Sequence, residues 1–283
     1  MNHLPRWITL LSCMLMVIHG PIAQIDGYHD FADQSVWLGV PHAADVLSNL
    51  GFAFVALWGL LALHPQCQQH PLVAGWPGYR LFLVGLLLTA VGSSYYHLAP
   101  DNASLVWDRL PIALACAGLL AAVRSETVPG ANGARDALGL GVLALFSVGW
   151  WRYTDLQGAG DLRPYLLLQG LPIVLIPVWQ TIYRAPRLDR LWFGLALSLY
   201  VFAKLAELND HQISQALVWI SGHTLKHLLA TAATALIVGR LMLRARAGAD
   251  VGWGNAGPRS GRLRSPTGSS PSSAAGWPRN WPG

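Results

Sequence analysis

Three histidines, an aspartate and a serine have types and spacings that could do chemistry. Ser93 and His97 stand four apart at the end of one apolar stretch, in Gly92-Ser93-Ser94-Tyr95-Tyr96-His97. His223 and His227 stand four apart near the start of another, in Ser221-Gly222-His223-Thr224-Leu225-Lys226-His227. Residues at i and i+4 share a helix face, so His223 and His227 point the same way and can grip one ion or a haem. Asp108 opens a third apolar stretch, in Trp107-Asp108-Arg109-Leu110-Pro111. Each piece also has a plainer reading. A lone membrane histidine is a hydrogen-bonded packing residue, a lone aspartate there is an interfacial helix cap, and Ser94 lies as close to His97 in sequence as Ser93 does. The joint pattern carries the weight, because ionisable groups inside apolar helices are costly and mark function.

The elements that must position these groups are membrane helices. Of 283 residues, 53% are hydrophobic and 12% charged, half the charge of an ordinary soluble domain. That balance excludes a disordered chain and points to a bilayer as solvent. Cys13, Cys67 and Cys116 are too few and too scattered for a disulfide framework or a cysteine metal cage. The short run Trp7 to Ile18 behind Arg6 reads as a secretory signal peptide over residues 1–23, or as an extra N-terminal helix. Seven longer apolar segments follow, at 45–63, 80–98, 106–123, 136–151, 165–183, 189–207 and 215–243, and predict an all-α seven-transmembrane-helix bundle over residues 24–243. Pro172 and Pro177 predict a kink in the fifth. Residues 244–283, rich in Gly, Ser, Pro and Arg, read as a disordered cytoplasmic tail.

Arginine placement predicts the orientation. Nine arginines (Arg80, Arg124, Arg135, Arg184, Arg187, Arg190, Arg240, Arg244 and Arg246) fall in the 1–2, 3–4 and 5–6 loops and the C-terminal flank. By the positive-inside rule these face the cytoplasm, and the core begins outside. The net charge of +5 then reports topology rather than a nucleic-acid partner. In this orientation His97, Asp108, His223 and His227 all lie in the outer half of the membrane. Lys204 and Glu207, three apart, read as an internal ion pair, and Asp210-His211 as an interfacial loop on the same side as the cluster.

These motifs, Ser93 and His97 as SxxxH, Asp108 eleven residues later, and His223 and His227 as HxxxH, resemble those of the alkaline ceramidase family. That family lies within a superfamily of seven-helix membrane hydrolases that includes the adiponectin-type receptors. The resemblance covers roughly residues 26–243. The Ser-Asn pair in Asp45-Val46-Leu47-Ser48-Asn49-Leu50 is similar to the opening of the family's first helix, and the wording matches its bacterial form. The resemblance implies a bacterial inner-membrane enzyme with a zinc ion held by His97, His223 and His227. A water would complete the site, Asp108 would act as proton acceptor and donor, and Ser93 would hydrogen-bond the oxyanion or the water. The implied substrate is a lipid amide, ceramide, cut to a sphingoid base and a fatty acid. Arg109 stands where family members often carry an acidic residue, which implies an altered head-group preference. For the calcium site of animal relatives, Asp30, Asp33 and Asp45 are candidate ligands, with His42 where an acidic ligand would be expected. Two other classes stay open: a haem-binding electron-transfer protein using His97 with His223 or His227, and a non-catalytic receptor-like protein with a structural zinc.

Overall fold

The computed structural model describes residues 3–254. After α1 (Leu4–His19) an extended segment leads to a two-residue antiparallel pair, β1 (Val36–Trp37) and β2 (Val40–Pro41). The first apolar stretch is two helices, α2 (Ala43–Ser48) and α3 (Leu50–Leu63), followed by the short α4 (His70–Val73). The remaining helices are α5 (Trp76–Leu98), α6 (Leu105–Thr127), α7 (Gly133–Asp155), α8 (Arg163–Ile182), α9 (Arg187–Leu208), α10 (Asp210–Leu217) and α11 (Gly222–Gly254). Prolines at the first turns of α5 and α8 (Pro77 and Pro164) occupy positions where the missing N–H costs nothing.

Six helical stretches are long and apolar enough to cross a membrane: Ala43–Gln66, α5, α6, α8, α9 and Gly222–Ala247 of α11. The chain is thus an all-α protein of membrane type. At 23 residues α7 equals α5 in length. The charges at its ends (Arg135, Asp136, Arg152 and Asp155) and its glycines leave it below the hydropathy of the other six. Its outer face is nonetheless apolar, with Leu138, Val142, Leu145 and Phe146 exposed. The same holds for Phe54 and Leu61 of α3, Val91 of α5 and Leu191 and Phe202 of α9. Continuous exposed apolar surface on this scale suits lipid rather than water.

Two boundaries differ from the sequence expectation. The segment expected at 215–243 is interrupted: α10 ends at Leu217, Val218 takes a positive φ of 60°, and α11 starts afresh at Gly222. The expected tail from residue 244 begins later, because α11 continues through Gly254. The rest of that tail, residues 255–283, lies outside the described residues.

The axis of the bundle is the antiparallel pair α5–α6. Gly78, Gly85 and Gly92 recur every seven residues on α5 and bring its backbone against α6, where Gly118 answers them. An added Cβ at Gly85 would sit 2.7 Å from the Ala115 nitrogen, and one at Gly92 would run into the Trp107 carbonyl oxygen. Small residues at an interface are how membrane helices pack without a hydrophobic driving force between them. Gly92 therefore sets the height of Trp107 and Asp108 against Ser93 and His97. Gly92→Ala is expected to destabilise the protein by about 1–3 kcal/mol, the usual cost of overpacking. A fall in melting temperature checks this, with Gly139→Ala as control because nothing lies within 4 Å of a Cβ there.

The N-terminal segment is tied to the bundle. Leu162 N donates to Ile22 O at 2.8 Å, Ile22 N donates to Asp161 Oδ1 at 3.2 Å, and Arg163 Nη1 donates to Met16 O at 3.2 Å. Burial pushes the Asp161 carboxyl up, but hydrogen bonds from Arg163, Trp150 and Ile22 more than offset this and hold it well below the usual carboxylate range. Residues 20–42 then cross one end of the bundle as a lid.

Candidate functional site

His97 closes α5, Asp108 sits in the first turn of α6, and His223 and His227 occupy the first two turns of α11. All four lie at the same end of the bundle, and all are buried. The three imidazoles pack edge to face, with ring centroids 4.7 Å (His97–His223), 5.3 Å (His97–His227) and 4.9 Å (His223–His227) apart. One nitrogen from each lies within 4.8 Å of the others, and this is the one such group of three metal-capable side chains among the described residues. Two bonds of about 2.0 Å to one ion set ligating nitrogens at most about 4 Å apart, and a spread of no more than 4.8 Å is close to that.

The orphaned atoms around the cluster fit a metal. Both ring nitrogens of His97, Ser93 Oγ, Asp108 Oδ1 and Asp45 Oδ2 are buried without a hydrogen-bond partner. Buried polar atoms are almost always satisfied; a cation could take one His97 nitrogen, and a water beside it could bond Ser93 Oγ and Asp108 Oδ1. Neutral imidazoles suit zinc, copper, iron or nickel, so these three histidines could hold a metal ion whose identity they do not fix.

The supporting shell comes from a residue pair on α2. Ser48 Oγ donates its proton to Asp45 O at 2.9 Å and lies 2.8 Å from His227 Nδ1. With that proton committed, Ser48 accepts from Nδ1–H, and His227 Nε2 keeps its lone pair for a metal. Asp45 is fully buried; its Oδ1 accepts from Thr224 Oγ1 at 2.5 Å and Ser221 Oγ at 3.2 Å, and its Oδ2 faces His97 Nδ1 at 4.0 Å. A carboxylate hydrogen-bonded behind a ligating histidine fixes its ring; at 4.0 Å Asp45 stands behind His97 without making that bond. Asp45, a calcium candidate by residue type, faces His97, and Ser48, three residues on, faces His227. Ser48→Ala is expected to weaken zinc binding about 10- to 100-fold. Competition with a chromophoric chelator measures it, and unchanged affinity would remove Ser48 from this role.

Other expected groups fall as follows. Ser93 is buried and lines the cavity beside Asp108 and His227, whereas Ser94 donates to Val46 O at 3.2 Å. Lys204 and Glu207 form the expected i, i+3 ion pair, and Lys226 joins it, with Nζ 2.6 Å from Glu207 Oε1. Lys226 Nζ is also 3.1 Å from His223 Nε2. Glu207 keeps the ammonium partnered. Asp210 clamps the lid rather than the metal: its Oδ1 accepts from His223 N at 2.7 Å and its Oδ2 from Ala32 N at 2.9 Å. His211 lies 2.9 Å from Asp30 O. Phe31 of the lid packs 4.6 Å from both the His97 and His223 rings.

Of the calcium candidates Asp33 and Asp45 are neighbours, but with Asp30 they form no group of three metal-capable side chains among the described residues. Asp30 is exposed. Asp33 is buried, and its oxygens accept from Ser35 N at 3.0 Å and Asp45 N at 3.0 Å. His42 Nδ1 bonds the Asp33 carbonyl oxygen at 2.5 Å. These contacts shape the lid turn.

A cavity leads away from the cluster. Its polar end holds Ser93, Asp108, Lys226, Glu207 and His227, and its far end holds Phe82, Leu119, Leu197 and Ile237. Ser93 to Phe82, Asp108 to Leu119 and His227 to Ile237 are ten or eleven residues each, so three helices independently give a length of about 15 Å. Chemically this is a polar head against an apolar shaft. Set against known proteins, the chain matches no family model, no curated protein and no solved structure.

Proposed function

We propose that this chain is a zinc-dependent membrane hydrolase that cuts an amide bond in a lipid, most simply ceramide, to a sphingoid base and a fatty acid. The observation that carries the reading is the convergence of three buried histidines with unpartnered Ser93 and Asp108 at the mouth of an apolar shaft. In this reading α7 is the fourth of seven crossings, the core starts outside and ends in the cytoplasm of a bacterial cell, and the site lies in the outer half of the inner membrane.

His97, His223 and His227 would hold the ion, with Ser48 orienting the third. When bound, zinc supplies Lewis acidity that lowers the pKa of water to about 7. Asp108 takes one proton from the attacking water as its oxygen adds to the amide carbon. Ser93 donates a hydrogen bond to the carbonyl oxygen as it gains negative charge. Asp108 then returns the proton to the leaving nitrogen; the C–N bond breaks, the acyl half keeps the water oxygen and the amine keeps the proton. The acyl chain stays in the shaft, so only the amide needs to reach the polar end. Phe31 and the lid exclude bulk water above the rings.

Metal analysis of purified protein, combined with a lipid-amide hydrolysis screen read by mass spectrometry, tests this. Zinc near one equivalent and release of fatty acid are expected; a Soret band without zinc would favour haem instead. The edge-to-face stacking of the three rings leaves no slot between two of them for a porphyrin. A receptor-like role is favoured if zinc is present and every amide survives.

A further inference from the structure

Arg109 follows Asp108 in the first turn of α6 and is 2% exposed. Its guanidinium carbon lies 4.1 Å from the centre of the Trp151 ring, 5.1 Å from Tyr28 and 5.5 Å from Tyr165. Nη2 donates to Gln24 Oε1 at 2.8 Å. Nε and Nη1 are buried with no acceptor among the described residues.

Elsewhere the chain treats sheltered cations differently. Arg163 has Asp161, Arg240 has Asp189, and Lys226 has Glu207. Among the described residues Arg109 has no such ion pair, although it is the most deeply buried of the four. Aromatic faces offset part of the cost of desolvating a guanidinium. They do not accept hydrogen bonds from Nε and Nη1 as an oxygen does, and a buried charge without a counter-charge is strongly destabilising. What completes this site is an oxyanion, the group that a guanidinium fork matches in both charge and geometry.

The position says which molecule would bring it. Tyr28 and Tyr165 flank the guanidinium, and both also line the cavity that holds Asp108 and Ser93. Arg109 itself is not among the residues lining that cavity; it stands behind these two rings, next in sequence to Asp108. Gln24 and Tyr28 belong to the lid segment, so an arriving head group meets Arg109 where the lid covers it.

We propose that Arg109, in its box of Trp151, Tyr28 and Tyr165, binds an oxyanion on the head side of the lipid amide, making the preferred substrate an anionic N-acyl lipid rather than a neutral one. The inference rests on the lipid-amidase reading and narrows its substrate class. Arg109 is a specificity residue here, and the proton transfers remain with Asp108.

The test compares the zinc-loaded full chain on ceramide, ceramide 1-phosphate and an N-acylglycine of matched acyl length. At least one anionic amide is expected to exceed ceramide in kcat/KM by about 10- to 100-fold, the range that a charged hydrogen bond gives. In Arg109→Gln the ratio of anionic to neutral kcat/KM should fall to within about threefold of one. Arg109→Lys, which keeps the charge without the fork, should retain an intermediate ratio and serves as the folding control. A wild-type ratio near one, or a ratio unchanged in Arg109→Gln, overturns the proposal. A second readout does not depend on turnover. Dodecyl phosphate should raise the melting temperature of wild type and not of Arg109→Gln, whereas inorganic phosphate at equal concentration should do little. No shift with dodecyl phosphate, or an equal shift with inorganic phosphate, also overturns it. If no amide is cut but the dodecyl phosphate shift depends on Arg109, the hydrolase reading has failed and the anion site stands.

Discussion

Replacing His227 with alanine is expected to remove bound zinc and turnover together. The imidazole is buried and its Nδ1 faces Ser48, so in the proposed site its Nε2 would hold the metal. Loss of a supporting partner alone costs about 10- to 100-fold in metal affinity, so loss of a ligand should cost more than about 100-fold and leave hydrolysis at background. Metal content after dialysis and fatty-acid release measure the two effects. His223→Ala should behave alike, with one difference: Lys226 loses its imidazole neighbour and keeps Glu207. To separate metal loss from misfolding, the melting temperature of the variant is compared with that of wild type stripped by chelator. Agreement of the two indicates a missing ion rather than a collapsed bundle. Full turnover in a zinc-free His227→Ala protein would rule out metal-assisted hydrolysis.

The second large effect is the separation of binding from chemistry at Asp108. Asp108→Asn preserves the size of the side chain and its place in the first turn of α6. It removes the basicity needed to take a proton from water and return it to nitrogen. Zinc content is expected to stay near wild type, because Asp108 lies outside the group of three ligands. Turnover should fall by about 10²- to 10⁴-fold, the contribution typical of general acid–base catalysis. Retention of full turnover on the same amide would show that the proton goes elsewhere, and Glu207, which lines the same cavity, would be the next group to replace.

A large part of this protein is written locally. The scarcity of charge and the apolar runs were enough to predict membrane-type helices, and six of the expected segments correspond to stretches that can cross a bilayer. HxxxH and SxxxH were legible because the helical repeat alone puts such pairs on one face. The Gly78, Gly85 and Gly92 series was equally present in the sequence, but its meaning depends on the backbone that lies opposite. Only a partner helix turns a seven-residue glycine repeat into close approach.

What the sequence by itself determined is therefore the kind of element and the kind of ligand: long apolar helices, imidazoles in pairs, and a carboxylate at a helix start. What the tertiary structure alone decided is which of these groups meet and what else joins them. Asp45 and Ser48 face His97 and His227 across 52 and 179 residues of chain. Lys226 extends the Lys204–Glu207 pair, and Asp210 holds the lid against α11. Asp33, a calcium candidate by residue type, spends its oxygens on backbone amides. Arg109, read from sequence as a changed neighbour of Asp108, has no carboxylate partner among the described residues and sits inside a ring of aromatics. The physical reason is one of range. Helix periodicity relates residues within a few turns, whereas partnership between buried charges depends on how helices pack, and that is set by contacts summed over the whole bundle.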